Sequence, residues 1–105
     1  MGFFNLFKGS DINQVIQEYQ QTPGAVLLDV RTPQEYAEGH IPGSKYVPVA
    51  SIGQAHSAAV GKDAALFVYC HSGGRSRQAV DLLKNMGYTN VKNAGGIASY
   101  RGKVE

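Results

Sequence analysis

The chain has one cysteine, no tryptophan, three histidines and four prolines among its 105 residues. A single cysteine excludes an intramolecular disulfide, and three scattered histidines beside it make a poor zinc site, so no metal is expected. Charge is sparse as well: Lys and Arg number 10 and Asp and Glu 8, for a net charge of +2. That surplus is too small to argue for nucleic acid. No apolar run approaches the roughly 20 residues of a membrane span, so no membrane partner is expected. Repeats, charge runs and linkers are also lacking, which supports one domain with a modest core and no room for a second. Hydrophobic residues at 43% and charged residues at 17% give a globular balance rather than a disordered one.

What is present begins with an apolar extension, residues 1–9, ahead of a domain over residues 10–105. Met1 to Lys8 is too short for a signal peptide, and Leu6 breaks the myristoylation pattern that Met1-Gly2 opens. Its phenylalanines either cap the core or lie on a partner surface. Ser10 reads as the N-cap of a helix through about Gln21, with Ile12, Val15, Ile16 and Tyr19 on one face. Ala25 to Val30 reads as a strand buried on both faces, typical of a parallel sheet. Thr32-Pro33-Gln34-Glu35 combines an N-cap, a proline at the first helical position and a capping-box glutamate, predicting a short helix ended by Gly39. A turn over His40 to Ser44, a strand from Lys45 to Val49 and a weak helical pattern over residues 51–61 follow. Ala65 to Cys70 is the clearest central strand, Arg75 to Met86 a helix closed by Gly87, and Tyr88 to Asn93 a last strand before a helical turn through Tyr100. Strands alternating with helices give an α/β domain around a mostly parallel central sheet flanked by helices.

Cys70 stands where the apolar strand stops. The seven residues after it, His71-Ser72-Gly73-Gly74-Arg75-Ser76-Arg77, hold two glycines, two serines, two arginines and a histidine, a composition that does not pack as core. Buried free cysteine often serves only as a small hydrophobe, but this one lies at the carboxyl end of a strand, where open sheets bind ligands. Gly73 and Gly74 let the backbone turn its N–H groups inward at a helix start, a setting that binds anions and lowers a thiol pKa. Arg75, Arg77 and His71 crowd positive charge at the loop and suggest a small anionic substrate. A lone unpaired cysteine also suits a reducing, cytoplasmic setting.

In this order and spacing, four segments resemble the single-domain rhodaneses. Leu27-Leu28-Asp29-Val30-Arg31, with Glu35 and Tyr36 beyond it, resembles the family's first signature. Gly39-His40-Ile41-Pro42-Gly43-Ser44 resembles its second, Tyr69-Cys70-His71-Ser72-Gly73-Gly74-Arg75-Ser76 its active-site loop, and Gly95-Gly96-Ile97 its closing motif. The tryptophan usual after the glycine pair is absent, and Tyr100 is expected to take its packing role.

The resemblance implies a rhodanese-like three-layer fold and a persulfide mechanism. Cys70 as thiolate would attack the outer sulfur of thiosulfate or a persulfide donor, and an acceptor (cyanide in vitro, a thiol or a protein in cells) would remove that sulfur. It implies catalytic Cys70, substrate-binding His71, Ser72, Gly73, Gly74, Arg75 and Ser76, no cofactor, and a monomer or weak dimer. Arg75 would hold the donor anion through its planar fork. Ser72 and Ser76 would donate hydroxyl hydrogen bonds to a bound anion, or Ser76 would cap the helix. His71 would tune charge or contact an acceptor. Asp29 and Arg31 read as loop-holding residues, Arg31 through Glu35, His40 as part of a turn staple, and Arg77 as solvated.

Two competing functions stand beside this one. A persulfide relay with little turnover of its own would keep Cys70 and the same loop. Dual-specificity phosphatases also place a cysteine before an arginine, but with five residues between them, whereas four separate Cys70 from Arg75.

Overall fold

A computed structural model describes residues 11–57 and 61–105. The apolar extension, Ser10 and the stretch 58–60 lie outside the described residues. Helix α1 (Ile12–Gln20) buries Ile12, Val15 and Ile16 on one face. Its N-cap is Asp11 rather than Ser10: the Asp11 carboxylate accepts from the Asn13 N–H at 3.0 Å. Both residues are good caps, and the one that starts the helical register wins. Strand β1 (Val26–Asp29) leads to α2 (Pro33–Glu38), whose capping box is formed in both directions between Thr32 and Glu35. Strand β2 is only Lys45–Tyr46, shorter than the expected run to Val49. Val49–Ser57 forms a 3-10 segment kinked at Ser51 where a weak helix was expected.

Strand β3 (Leu66–Cys70) is followed by α3 (Gly74–Asn85), and strand β4 (Val91–Gly96) by a 3-10 turn at Ile97–Ser99. The last strand starts and ends about three residues later than the sequence suggests, so Gly95 and Gly96 belong to it. They remain in the ladder because β4 carries a bulge: Val68 faces Asn93 and Tyr69 faces Gly95, leaving Ala94 over.

The sheet is parallel throughout, in the order β2-β1-β3-β4. The chain runs from β1 outward to β2 and then returns to place β3 on the other side of β1. Between β1 and β3 lies the point where strand order reverses, the place where open α/β sheets bind ligands. Strand alternation divides the core in two. Leu27, Phe67 and Tyr69 pack with Ile12, Val15 and Ile16 of α1, while Leu28, Leu66, Val68 and Cys70 pack with Ala79, Val80 and Leu83 of α3. Three layers result, with the sheet in the middle. Tyr100 packs at the α1 side.

Candidate active site

Cys70 is the last residue of β3, and its alternation places it on the α3 side of the sheet, 1% exposed. Because α3 begins four residues later, its first amides meet the sulfur. The Gly73 N–H donates to Sγ at 3.0 Å, and the Ser76 hydroxyl lies 3.4 Å from it. Burial pushes the Cys70 thiol up. The Ser76 hydroxyl and the N–H groups of Ser76, Gly73 and Ser72 outweigh it, so the pKa falls below its ordinary value.

The loop takes this shape for identifiable reasons. Gly73 is the N-cap of α3 with φ +105°, a left-handed conformation that favours glycine, and no side chain caps the helix. Ser76 is therefore not the cap. It sits inside the first turn, fully buried, with its hydroxyl turned to the sulfur, to Gly73 O and to Asn93. The His71 carbonyl is held by the Ala98 N–H at 3.0 Å, which turns that peptide away from the thiol. Gly96 makes room for this contact: a Cβ there would collide with the backbone at His71 O and Ser72 Cα.

His71, Ser72 and Gly74 are exposed at the loop rim. Ser72 also lines a cleft of about 490 Å3 with Asp11, Gly95, Gly96 and Ser99. A larger cleft of about 610 Å3 lies between Pro33, Lys45 and Gln54 and includes no residue of the loop.

Arg75 spans the point of strand reversal rather than standing free. Its guanidinium holds Glu35 of α2 through two bonds, 2.7 and 3.0 Å. Hydrogen bonding from Arg75, with the Thr32 backbone next, lowers the Glu35 pKa to about 2. Arg31 consequently does not pair with Glu35. It folds back on Asp29, with Nε and a terminal nitrogen on the carboxylate at 3.0 and 2.7 Å, and holds Gly39 O at 2.7 Å. Both members of this pair are buried, so it braces the turn after α2. His40 stacks on Tyr36 at 3.8 Å and contacts Tyr36 O through Nδ1 at 3.0 Å, the arrangement of a turn staple. The Tyr69 hydroxyl accepts from the Ile41 N–H and reaches Ser44 Oγ, tying the same turn to the strand that carries Cys70. Arg77 is exposed.

Residues 13–103 match the rhodanese-like domain family. The chain belongs to the rhodanese family and is a rhodanese-type sulfurtransferase. This rhodanese is 39% identical to the thiosulfate sulfurtransferase PspE of Escherichia coli strain K12 over 67% of its own length and 68% of that protein's. It is 36% identical to a sulfurtransferase of Allochromatium vinosum, covering 86% of this chain and 84% of the relative. Among solved structures it superposes on an E. coli rhodanese determined with anions, at a TM-score of 0.73 and 33% identity over 77% of this chain and 96% of that one.

Two participants in the rhodanese loop escaped the sequence reading. Asn93 meets Ser76, Gly73 O and the Gly95 N–H from β4, and Gly96 admits the His71–Ser72 peptide. Asn93 precedes the quoted glycine pair by two residues, a local signal that was available; its contact with a helix 17 residues earlier was not.

Proposed function

We propose that this rhodanese moves a sulfane sulfur through a persulfide on Cys70, from thiosulfate or another small anionic donor to a thiophilic acceptor. The observation that carries the reading is the enclosed sulfur of Cys70, faced by the Gly73 N–H and the Ser76 hydroxyl at the start of α3. In the first step the thiolate attacks the outer sulfur of thiosulfate. A Cys70–sulfur bond forms, the bond to the sulfonate sulfur breaks, and sulfite leaves with the bonding pair. The persulfide's negative charge now rests on its outer sulfur, where the loop N–H groups stabilise it as they would an oxyanion. In the second step an acceptor attacks that outer sulfur, the sulfur–sulfur bond breaks, and the Cys70 thiolate returns. With cyanide the product is thiocyanate; with a small-molecule or protein thiol it is a new persulfide.

Arg75 supplies positive charge at the rim, and the donor anion competes with Glu35 for its fork. His71, Ser72 and Gly74, exposed at the rim, meet the donor or acceptor in this scheme. The scheme uses protein groups alone and calls for no cofactor. A single free thiol suits a reducing, cytoplasmic setting. Four residues between Cys70 and Arg75 favour a single sulfur over a phosphoryl group, whose three equatorial oxygens must be held together.

Mass spectrometry after incubation with thiosulfate tests the reading. The wild type should gain one sulfur atom and then lose it to cyanide, whereas Cys70→Ser should gain none. An equal adduct on both proteins, or Cys70-dependent hydrolysis of para-nitrophenyl phosphate without sulfur transfer, would overturn it.

A further inference from the structure

The buried hydroxyl of Ser76 has one proton and three acceptors in reach. Asn93 Oδ1 is nearest at 2.7 Å, Gly73 O follows at 3.1 Å, and Cys70 Sγ lies at 3.4 Å. The Gly73 carbonyl already receives the Arg77 N–H at 3.1 Å and the Asn93 amide at 3.3 Å, so both of its lone pairs are engaged. Asn93 is itself oriented. The Gly95 N–H donates to Oδ1 at 2.9 Å, so the amide oxygen, not its nitrogen, faces Ser76.

We propose that Asn93 is a positioning residue for the Cys70 chemistry, acting through Ser76 by accepting the hydroxyl proton once the sulfur gives up its charge. This rests on the persulfide reading. While Cys70 is a thiolate, the Ser76 hydroxyl faces Sγ, where a charged acceptor makes even a long bond worthwhile. After sulfur is loaded, the charge moves to the outer sulfur and Sγ becomes a neutral, weak acceptor. Ser76 is fully buried, so a hydroxyl left aimed at that sulfur would be a costly unsatisfied donor. Turning to Asn93 Oδ1 removes the cost. Asn93 thus levels the two states of the cysteine and keeps loading from being penalised.

Other charged groups around the sulfur are Arg75 of α3 with its partner Glu35 of α2, His71 of the loop, and the Asp29–Arg31 pair after β1. The only charged side chain on β4, Lys92, pairs with Glu18 of α1. Replacing Asn93 alters none of these charges, but it also removes the amide's bonds to Gly73 O and from the Gly95 N–H, so the Ser76→Ala background is needed to isolate the hydroxyl.

The experiment measures three quantities in Asn93→Ala: the thiolate titration by ultraviolet absorbance, the rate of loading from thiosulfate, and the rate of discharge to cyanide. Without Asn93 Oδ1 a neutral cysteine leaves the hydroxyl only the longer Gly73 O contact at 3.1 Å, which favours the thiolate, so the titration should move to lower pH. Loading should slow by about threefold, the size of one modest hydrogen bond, and discharge should not slow. Asn93→Ser, which restores an acceptor, should recover part of the loading rate. In a Ser76→Ala background, Asn93→Ala should leave the titration unchanged. A loss shared equally by loading and discharge would mark Asn93 as a scaffold residue only and overturn the proposal, as would an unchanged titration or an Asn93 effect that persists without Ser76. Because the titration reads the thiol directly, it stands even if Cys70 carries no persulfide.

Discussion

Helices α2 and α3 both begin just past a central strand, after β1 and β3 respectively, yet their first turns are satisfied by different chemistry. At α2 the Thr32 hydroxyl accepts from the Glu35 N–H at 3.2 Å, and Glu35 reaches back to the Thr32 N–H at 3.0 Å. At α3 the cap is Gly73, which has no side chain, and its N–H goes to the sulfur. One helix start is closed by its own side chains, and the other is left open with the thiol in the position a capping oxygen would hold. The closed one stabilises, and the open one has amides to spend on an incoming charge. Glu35 joins them, since its carboxylate serves the α2 cap and the α3 arginine together.

The largest expected effect comes from filling the space that keeps the open end open. Gly96→Ala would drive a methyl against His71 O and Ser72 Cα, both backbone, so the loop itself must shift. Sulfur transfer should fall by about two orders of magnitude, as displacement of a reacting group by an ångström can cost. A thermal melt should show a loss of roughly 1–3 kcal/mol, the usual range for overpacking. Near-normal activity in this variant would mean that the loop's shape is not what β4 enforces.

A paired substitution sharpens the contrast between the two caps. Gly73→Ala places a side chain at φ +105° and should cost about 1–3 kcal/mol of stability. It should also raise the pH at which Cys70 ionises, through misplacement of the Gly73 N–H. Thr32→Ala should cost about 1 kcal/mol, the value of a lost cap, and leave the thiolate titration alone. If both variants moved the titration equally, the two helix starts would not be separable.

The smallest effect is in acid. Glu35 has its folded pKa depressed to about 2 against an ordinary 4.5, so its contribution is fully present above about pH 4.5 and is lost as pH falls toward 2. Equilibrium denaturation across that window should show a gradual loss in the wild type that is reduced in Glu35→Gln. The pair is partly solvated, so the difference should be modest.

The same contrast explains how much was legible in the sequence. The closed cap could be read directly because its partners, Thr32 and Glu35, are three residues apart and the pattern is local. The open one was half legible. Glycines after an apolar strand announced inward amides around Cys70, but Ser76 stayed between anion donor and helix cap because nothing local shows that Gly73 turns left-handed and caps α3. Arg75 was read as free to bind a donor because its partner is 40 residues away in the chain. Asn93 went unnoticed for the same reason, and the bulge that shifts Gly95 and Gly96 into β4 could not be seen in a strand of such short apolar pattern.

Strand β3 divides its side chains between two cores, Phe67 and Tyr69 toward one helix, Leu66, Val68 and Cys70 toward the other. It follows that reactivity in this molecule depends on odd and even. A slip of β3 by a single residue would preserve its composition, its apolar character and most of its ladder, while sending the thiol to the α1 face, away from the α3 amides that meet it. Sliding by two would restore the side and lose the reach. The sheet therefore does more than carry the loop. Its pairing register with β1 and β4 acts as a counting device that decides whether this chain has a nucleophile or merely a buried sulfur.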